Sequence, residues 1–140
     1  MSHAPLVIGD LRDDEVEAVI DLWRAAGLTR SWNDPHIDAH LALYGPGSTI
    51  LAGRLDGALV ATAMVGFDGH RAWVYYLGVA PERQGRGYGR AMMEACEAWA
   101  RDLGAPKLQL MVRDGNPAAA FYEAIGYTTN EVRVFGKRLA

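Results

Sequence analysis

Val16, Val19, Ile20 and Trp23 recur at intervals of three and four, the period of one helix face. Asp13 opens that pattern and Gly27 closes it, after a short apolar run, "PLVIG", that reads as a strand. In "SWNDPHIDAHLALY" Asp34 stands before Pro35 at the first helical position, an N-cap signature, and Ile37, Leu41 and Tyr44 continue by threes and fours. The pattern then changes to strands. "STILAGRL" and "ALVATAMVGF" flank Asp56-Gly57, the dipeptide best suited to a tight hairpin. A second Asp-Gly, Asp68-Gly69, leads into "AWVYYLGVA", so three strands form an antiparallel meander.

Tyr88, Met92, Ala95, Trp99 and Leu103 mark one face of a long helix stopped by Gly104, and "KLQLMV" follows as a strand. "NPAAAFYEAIG" repeats the cap logic with Asn116 as N-cap, Pro117 as first residue and Gly126 just past the end. A last strand pattern runs from about Tyr127 to Lys137. The order is β-α-α-β-β-β-α-β-α-β. The third meander strand and "KLQLMV" are separated by a helix, so they should lie parallel through a right-handed crossover. The expected architecture is α/β: a mixed, mostly antiparallel sheet with helices on both faces. With no repeat, low-complexity tract or linker, the 140 residues read as one domain, 1–140.

Composition narrows the function classes. Half the residues are apolar and 22% are charged, which suits a packed core and argues against disorder. A formal charge of −3 is too mild for nucleic acid and tilts only weakly towards cationic substrates. The single cysteine, Cys96, excludes an internal disulfide and suits a reducing compartment. No apolar run reaches signal-peptide or membrane-spanning length, so the expected setting is the cytoplasm, with no membrane partner.

"RQGRGYGR", residues 83–90, sits between a strand and a helix and alternates glycine with Arg86 and Tyr88. The first N–H groups of a helix have no partner, and its dipole adds partial positive charge. Glycines let backbone approach a ligand closely, so the stretch reads as an anion site, most naturally for phosphate. The P-loop string is absent, and G-x-G-x-G is not the G-x-G-x-x-G of a dinucleotide fingerprint.

The longer string "LGVAPERQGRGYGRAMM" resembles the acetyl-coenzyme A signature of the GNAT (GCN5-related N-acetyltransferase) superfamily. That signature is a strand ending in Val, here Val79, then Q/R-x-x-G-x-G/A, here Gln84, Gly87 and Gly89. Further on, "NPAAAFYEAIGY" is similar to the family's second block, through Asn116, Ala119, Tyr122, Gly126 and Tyr127. "WNDP" and "GKRL" resemble a small, single-domain bacterial branch. The resemblance spans essentially the whole chain and implies a GNAT-like sheet whose parallel strand pair splays at the centre. It implies acetyl-CoA as co-substrate, with no metal. Backbone amides across Gln84, Gly85, Arg86, Gly87, Tyr88 and Gly89 would cradle the pyrophosphate. Main-chain groups of Leu77 and Val79 would pair with the pantetheine arm, and Asn116 would lie along the far wall. Gly78, between those two strand residues, is consistent with a bulge.

Acetyl transfer to an amine needs a proton removed from the amine, a donor for the oxyanion and a proton for the departing thiolate. The resemblance puts Tyr122 in the position of the leaving-group acid, which a phenol suits. The backbone N–H of Val79 or Leu77 would serve the oxyanion. For the base, "WVYYLGV" offers no carboxylate, only Tyr75 and Tyr76, so a water relay beside these two tyrosines is favoured. Asp68 is explained by turn chemistry, and His36 and His40, four apart, read as solvated helix residues and not a metal pair. Cys96, without a neighbouring histidine, reads as a buried structural thiol. Trp32 is the aromatic candidate for an acceptor pocket. The acceptor is expected to be a primary amine of a protein, peptide or small molecule, bound in a ternary complex. A non-catalytic acyl-CoA sensor is the alternative, and open sheet edges leave room for a homodimer.

Overall fold

A computed structural model describes residues 5–139. Strand β1 (Val7–Asp10) is followed by a single 3-10 turn (Asp13–Glu15), helix α1 (Val16–Ala25) and helix α2 (Pro35–Tyr44). The meander is β2 (Ser48–Leu55), β3 (Ala58–Phe67) and β4 (Ala72–Val79). Helix α3 (Tyr88–Asp102), strand β5 (Leu108–Leu110) and helix α4 (Ala118–Ala124) complete it. The sheet order is β1-β2-β3-β4-β5, antiparallel except for the parallel pair β4 and β5.

Strand alternation sends neighbouring residues to two separate cores. Ile50 and Ala52 join Val19, Ile20 and Trp23 of α1 and Ala39 and Ala42 of α2 on one face. Leu51, Ala61, Ala63 and Val65 join Met92, Met93 and Cys96 of α3 on the other, with Phe121 and Tyr122 of α4 packed against them. The hairpin at Asp56-Gly57 has φ of +49° and +83°, the doubly left-handed turn this dipeptide favours. Asp34 caps α2 by accepting from the N–H of His36 at 2.9 Å and of Ile37 at 3.4 Å.

Two helix faces differ from the expected ones. Ile37, Leu41 and Tyr44 point outward on α2, with Leu41 64% exposed, while the small Ala39 and Ala42 meet the sheet. On α3 the fully buried line is Met92, Met93, Cys96 and Ala100, and Leu103 is half-exposed. On α2 small residues allow close approach to a sheet that is itself rich in alanine, and this outweighs side-chain size, whereas on α3 two methionines fill the interface beside Cys96 and Ala100.

The last expected strand does not pair. Among the described residues, 127–139 form no ladder with β5, so the parallel pair lies at the end of the sheet and not at its centre. Contact is made by side chains instead. Lys107 Nζ donates to Asn130 Oδ1 at 2.9 Å, and Asn130 Nδ2 donates to Gln109 Oε1 at 3.3 Å. Beyond Asn130, Val132, Val134 and Phe135 are all exposed, so no buried face sets a register.

One buried ion pair ties the start of the chain to the sheet. Glu15 is 8% exposed and receives Arg54 Nε at 2.9 Å, and the hydrogen bond from Arg54 chiefly holds its carboxyl down from 4.5 to about 2. A depressed carboxyl contributes stability that is complete above the unfolded value and is lost as pH falls towards the folded one. Melting temperatures measured between pH 5 and pH 2 should therefore fall with acid. Glu15→Gln should remove much of that dependence and lower stability at pH 7 by on the order of 2 kcal/mol. An unchanged pH profile in the variant would show that another group controls the transition.

Candidate active site

Helix α1 ends in a Schellman motif. Gly27, at φ +72°, donates to Arg24 O at 3.1 Å, and Leu28 donates to Trp23 O at 2.9 Å. This reversal folds Ala26 and Leu28 over β4 at Gly78. A Cβ on Gly78 would lie 2.7 Å from Leu28 Cδ1 and 3.5 Å from Ala26 Cβ, so close approach explains this glycine. The bulge lies elsewhere than expected. Thr62 still pairs with Gly78, but Met64 pairs with Tyr75, so the extra residue falls at Tyr76–Leu77. Tyr76 takes φ +53°, a left-handed conformation that is strained for an aromatic residue.

Strands β4 and β5 pair only as far as Val74 with Leu110, whereas β4 continues to Val79. The two chains part, and a cleft of about 480 Å³ opens beside Leu77, Gly78 and Val79. Its far side is Phe121 and Tyr122 of α4, and its end is the glycine-rich turn. There Gly85 and Gly87 have φ of +79° and +84°, and Gly87 starts α3 without any side-chain cap. The first helical bond is Ala91 N to Gly87 O at 3.1 Å, which leaves the N–H groups of Tyr88, Gly89 and Arg90 without helical partners. Gly89 lies under Phe121, whose Cζ would be 3.4 Å from a Cβ there. Arg83 also lines the cleft, and among the described residues its buried Nε has no hydrogen-bond partner.

Most of the expected residues converge. Leu77, Val79, Gln84, Gly85, Gly87, Tyr88, Gly89 and Tyr122 all line this one cleft. Gln84 does so with its amide turned back, donating to Val79 O at 3.2 Å and so tying the turn to the strand end. Arg86 is exposed outside the lining. Asn116 is also outside it, and its Oδ1 accepts from Ala118 N at 2.9 Å, capping α4. Tyr122 packs edge-on to Phe121, with ring centroids 5.1 Å apart, and burial raises its phenol above the ordinary tyrosine value. Among the described residues its hydroxyl makes no hydrogen bond, so the proton is available to a ligand.

Tyr75 and Tyr76 face a second cavity of about 440 Å³, on the α2 side of the same strand. Tyr76 is fixed on three sides. Trp23 stacks on its ring at 3.9 Å, Trp23 Nε1 reaches the buried Thr62 hydroxyl at 3.4 Å, and the Tyr76 hydroxyl donates to Asp38 Oδ2 at 2.6 Å. Burial and the Asp38 carboxylate together push the Tyr76 phenol well above its usual value, which makes it a proton donor and not a base at neutral pH. Asp38 is the residue that sequence reasoning missed. It stands four positions after the Asp34 cap, on the same helical side, but its partner lies 38 residues away in the chain.

The remaining candidates lie apart from both cavities. His36 Nε2 is 2.8 Å from Glu17 Oε1, and His40 packs against Tyr44. Among the described residues no group of His, Cys, Asp and Glu is spaced to hold a metal. Asp68 accepts from the N–H groups of His70 and Arg71 at 2.8 Å, as a turn residue does. Cys96 is fully buried, which pushes its thiol up to about 12. Trp32 lies beneath the guanidinium groups of Arg113 and Arg138, at 5.1 and 5.8 Å. No described helix is long and apolar enough to cross a membrane.

The sequence model described as Acetyltransferase (GNAT) family matches residues 14–127. An acetyltransferase of Pectobacterium atrosepticum is 41% identical over 129 residues, covering 91% of this chain and 92% of the relative. One of Yersinia pseudotuberculosis is 40% identical over the same shares. Among solved structures, the aminoglycoside N-acetyltransferase AAC(6')-Iy in complex with CoA superposes with a TM-score of 0.84 at 16% identity, over 99% of this chain and 98% of that one. The ribosomal-protein-alanine N-acetyltransferase of Brucella melitensis gives 0.77 at 20% identity, over 97% of this chain and 100% of that one. At these identities the two structures share the fold.

Proposed function

The chain belongs to the GNAT acetyltransferase family, and from that premise we propose that it moves an acetyl group from acetyl-CoA to a primary amine by direct attack in a ternary complex. The observation that carries this reading is the run of β4 beyond its last pairing with β5, open along Leu77–Val79 and ending at an uncapped helix start. The fit can be judged residue by residue. Unpartnered N–H groups at Tyr88, Gly89 and Arg90, with the helix dipole behind them, suit a diphosphate. Arg83 brings an unpartnered guanidinium nitrogen to the same cleft. The free edge of β4 at Leu77 and Val79 can receive an amide-bearing arm as an added strand.

Acetyl-CoA supplies an activated acyl thioester; the protein's part is positioning and proton management. The N–H of Val79 or Leu77 donates to the developing oxyanion. Tyr122, still protonated at neutral pH, donates its proton to the departing thiolate. Tyr75 and Tyr76 border the path by which the amine arrives, and their side chains can hold water that carries its proton away. A single cysteine, Cys96, suits a reducing setting and supports reading the protein as a cytoplasmic enzyme.

The test is release of free thiol from acetyl-CoA across a panel of primary amines. The expected result is amine-dependent release with a matching acetylated product. Tight acetyl-CoA binding with no turnover on any amine would identify an acyl-CoA sensor instead.

A further inference from the structure

The cavity on the α2 side of β4 carries chemistry that the donor cleft does not explain. Its walls are Leu41, Met64, Val65 and the rings of Tyr75 and Tyr76, and among its lining residues the one charged group is Asp38. The Asp38 carboxylate is partly buried. One oxygen, Oδ2, accepts from Tyr76 at 2.6 Å, and among the described residues the other accepts no hydrogen bond. Arg30, whose guanidinium also acts on Tyr76, donates through Nη1 to the carbonyls of Gly27 and Thr29 at 2.9 and 2.8 Å and, among the described residues, forms no ion pair with Asp38. A carboxylate in an apolar wall, without a cation of its own, leaves room for a cation from outside.

We infer that this cavity is the acceptor site and that it takes a small primary amine carried on an apolar body, with Asp38 receiving the ammonium. The inference rests on the acetyltransferase reading and names its substrate class. Tyr75 and Leu41, at the open rim and 44% and 64% exposed, give an alkyl or aryl group a surface that excludes water. A volume of about 440 Å³ accommodates a ligand of about ten to fifteen heavy atoms within the usual range of small-molecule sites. The cavity's other polar side chains are Asn33, the two tyrosines and Ser48, which already donates to Ala42 O at 2.8 Å, so a multiply charged amine would find one carboxylate there.

Tyr76 belongs to this cavity and Leu77 to the donor cleft, so the two sites meet within one residue of β4, at the bulge. The locked stack of Trp23, Tyr76 and Asp38 gives the ammonium a fixed partner beside that junction.

Two readouts test the inference on the full chain with CoA present: calorimetric binding of hexylamine, 2-phenylethylamine and glucosamine, and acetyl-CoA turnover with the same amines. Hexylamine and 2-phenylethylamine should bind and glucosamine should not. Asp38→Asn keeps the acceptor for Tyr76 and removes the charge, so it should weaken binding of both apolar amines about ten- to a hundred-fold. Leu41→Ser, at an exposed position that spares the fold, should raise KM for hexylamine several-fold and raise it less for the shorter methylamine. Binding that disappears in Asp38→Asn without any turnover in the wild type would uphold an amine site at Asp38 but overturn the transferase reading and, with it, the acceptor role. Turnover with glucosamine preferred, or apolar-amine binding indifferent to Asp38→Asn, would overturn the inference and leave the transferase reading intact. Absence of binding by every amine would also overturn it.

Discussion

Gly87→Val should abolish measurable acetyl-CoA binding, weakening it by at least about a hundred-fold, a loss of roughly 3 kcal/mol. Gly87 holds φ at +84° as the residue that starts α3. A β-branched side chain there is strained by about 1–3 kcal/mol, and the backbone relieves the strain by leaving the left-handed region. That movement turns away the N–H groups of Tyr88, Gly89 and Arg90, which must all point at one anion to bind it. No atom lies within 4 Å of the added Cβ, so the change acts through backbone conformation and the new side chain itself, without displacing a neighbour. Gly57 provides the control: φ is +83°, its Cβ position is equally open, and it lies in the Asp56-Gly57 hairpin away from the cleft. Gly57→Val should cost similar stability and leave titration calorimetry with acetyl-CoA unchanged. Equal binding by Gly87→Val and wild type would remove the diphosphate from this helix start.

Tyr122→Phe should lower kcat by about a hundred-fold or more while the dissociation constant for acetyl-CoA stays within about two-fold. The substitution deletes one hydroxyl and keeps the ring that packs on Phe121 and, at 6.2 Å between centroids, on Tyr127. Because burial raises the Tyr122 phenol, the acid form persists to higher pH than for an ordinary tyrosine. The wild-type rate should therefore hold up to alkaline pH and decline only above the usual tyrosine range. An unaltered kcat in the variant would make Tyr122 a packing residue.

Features that depend on neighbours in the chain were legible in the sequence. Asp34 caps α2, Asp56-Gly57 turns the hairpin and Gly27 ends α1, each through contacts within a few residues. The cleft assigned to the donor was legible in part, because Leu77 to Gly89 is one continuous stretch; Tyr122 joins it from α4, beyond α3 and β5, and was found through a second motif. Features set by packing were not. Periodicity put Ile37, Leu41 and Tyr44 inside, but the alanines of α2 pack closer to the sheet. Gly78 resembled a bulge because glycine weakens strands, whereas the bulge is at Tyr76, held by Trp23 and Asp38 from two other elements. The same long-range contact hid Asp38, whose role depends on a partner that periodicity cannot supply. The final strand kept its alternating pattern without a face to bury.

The bulge has an evolutionary consequence. In a regular strand, alternation alone would decide which side chains face each cavity. With one residue added at Tyr76–Leu77, the walls of the two cavities share no side chain. In the proposed assignment, substitutions in α2 would retune which amine is accepted while the turn assigned to the coenzyme stays as it is.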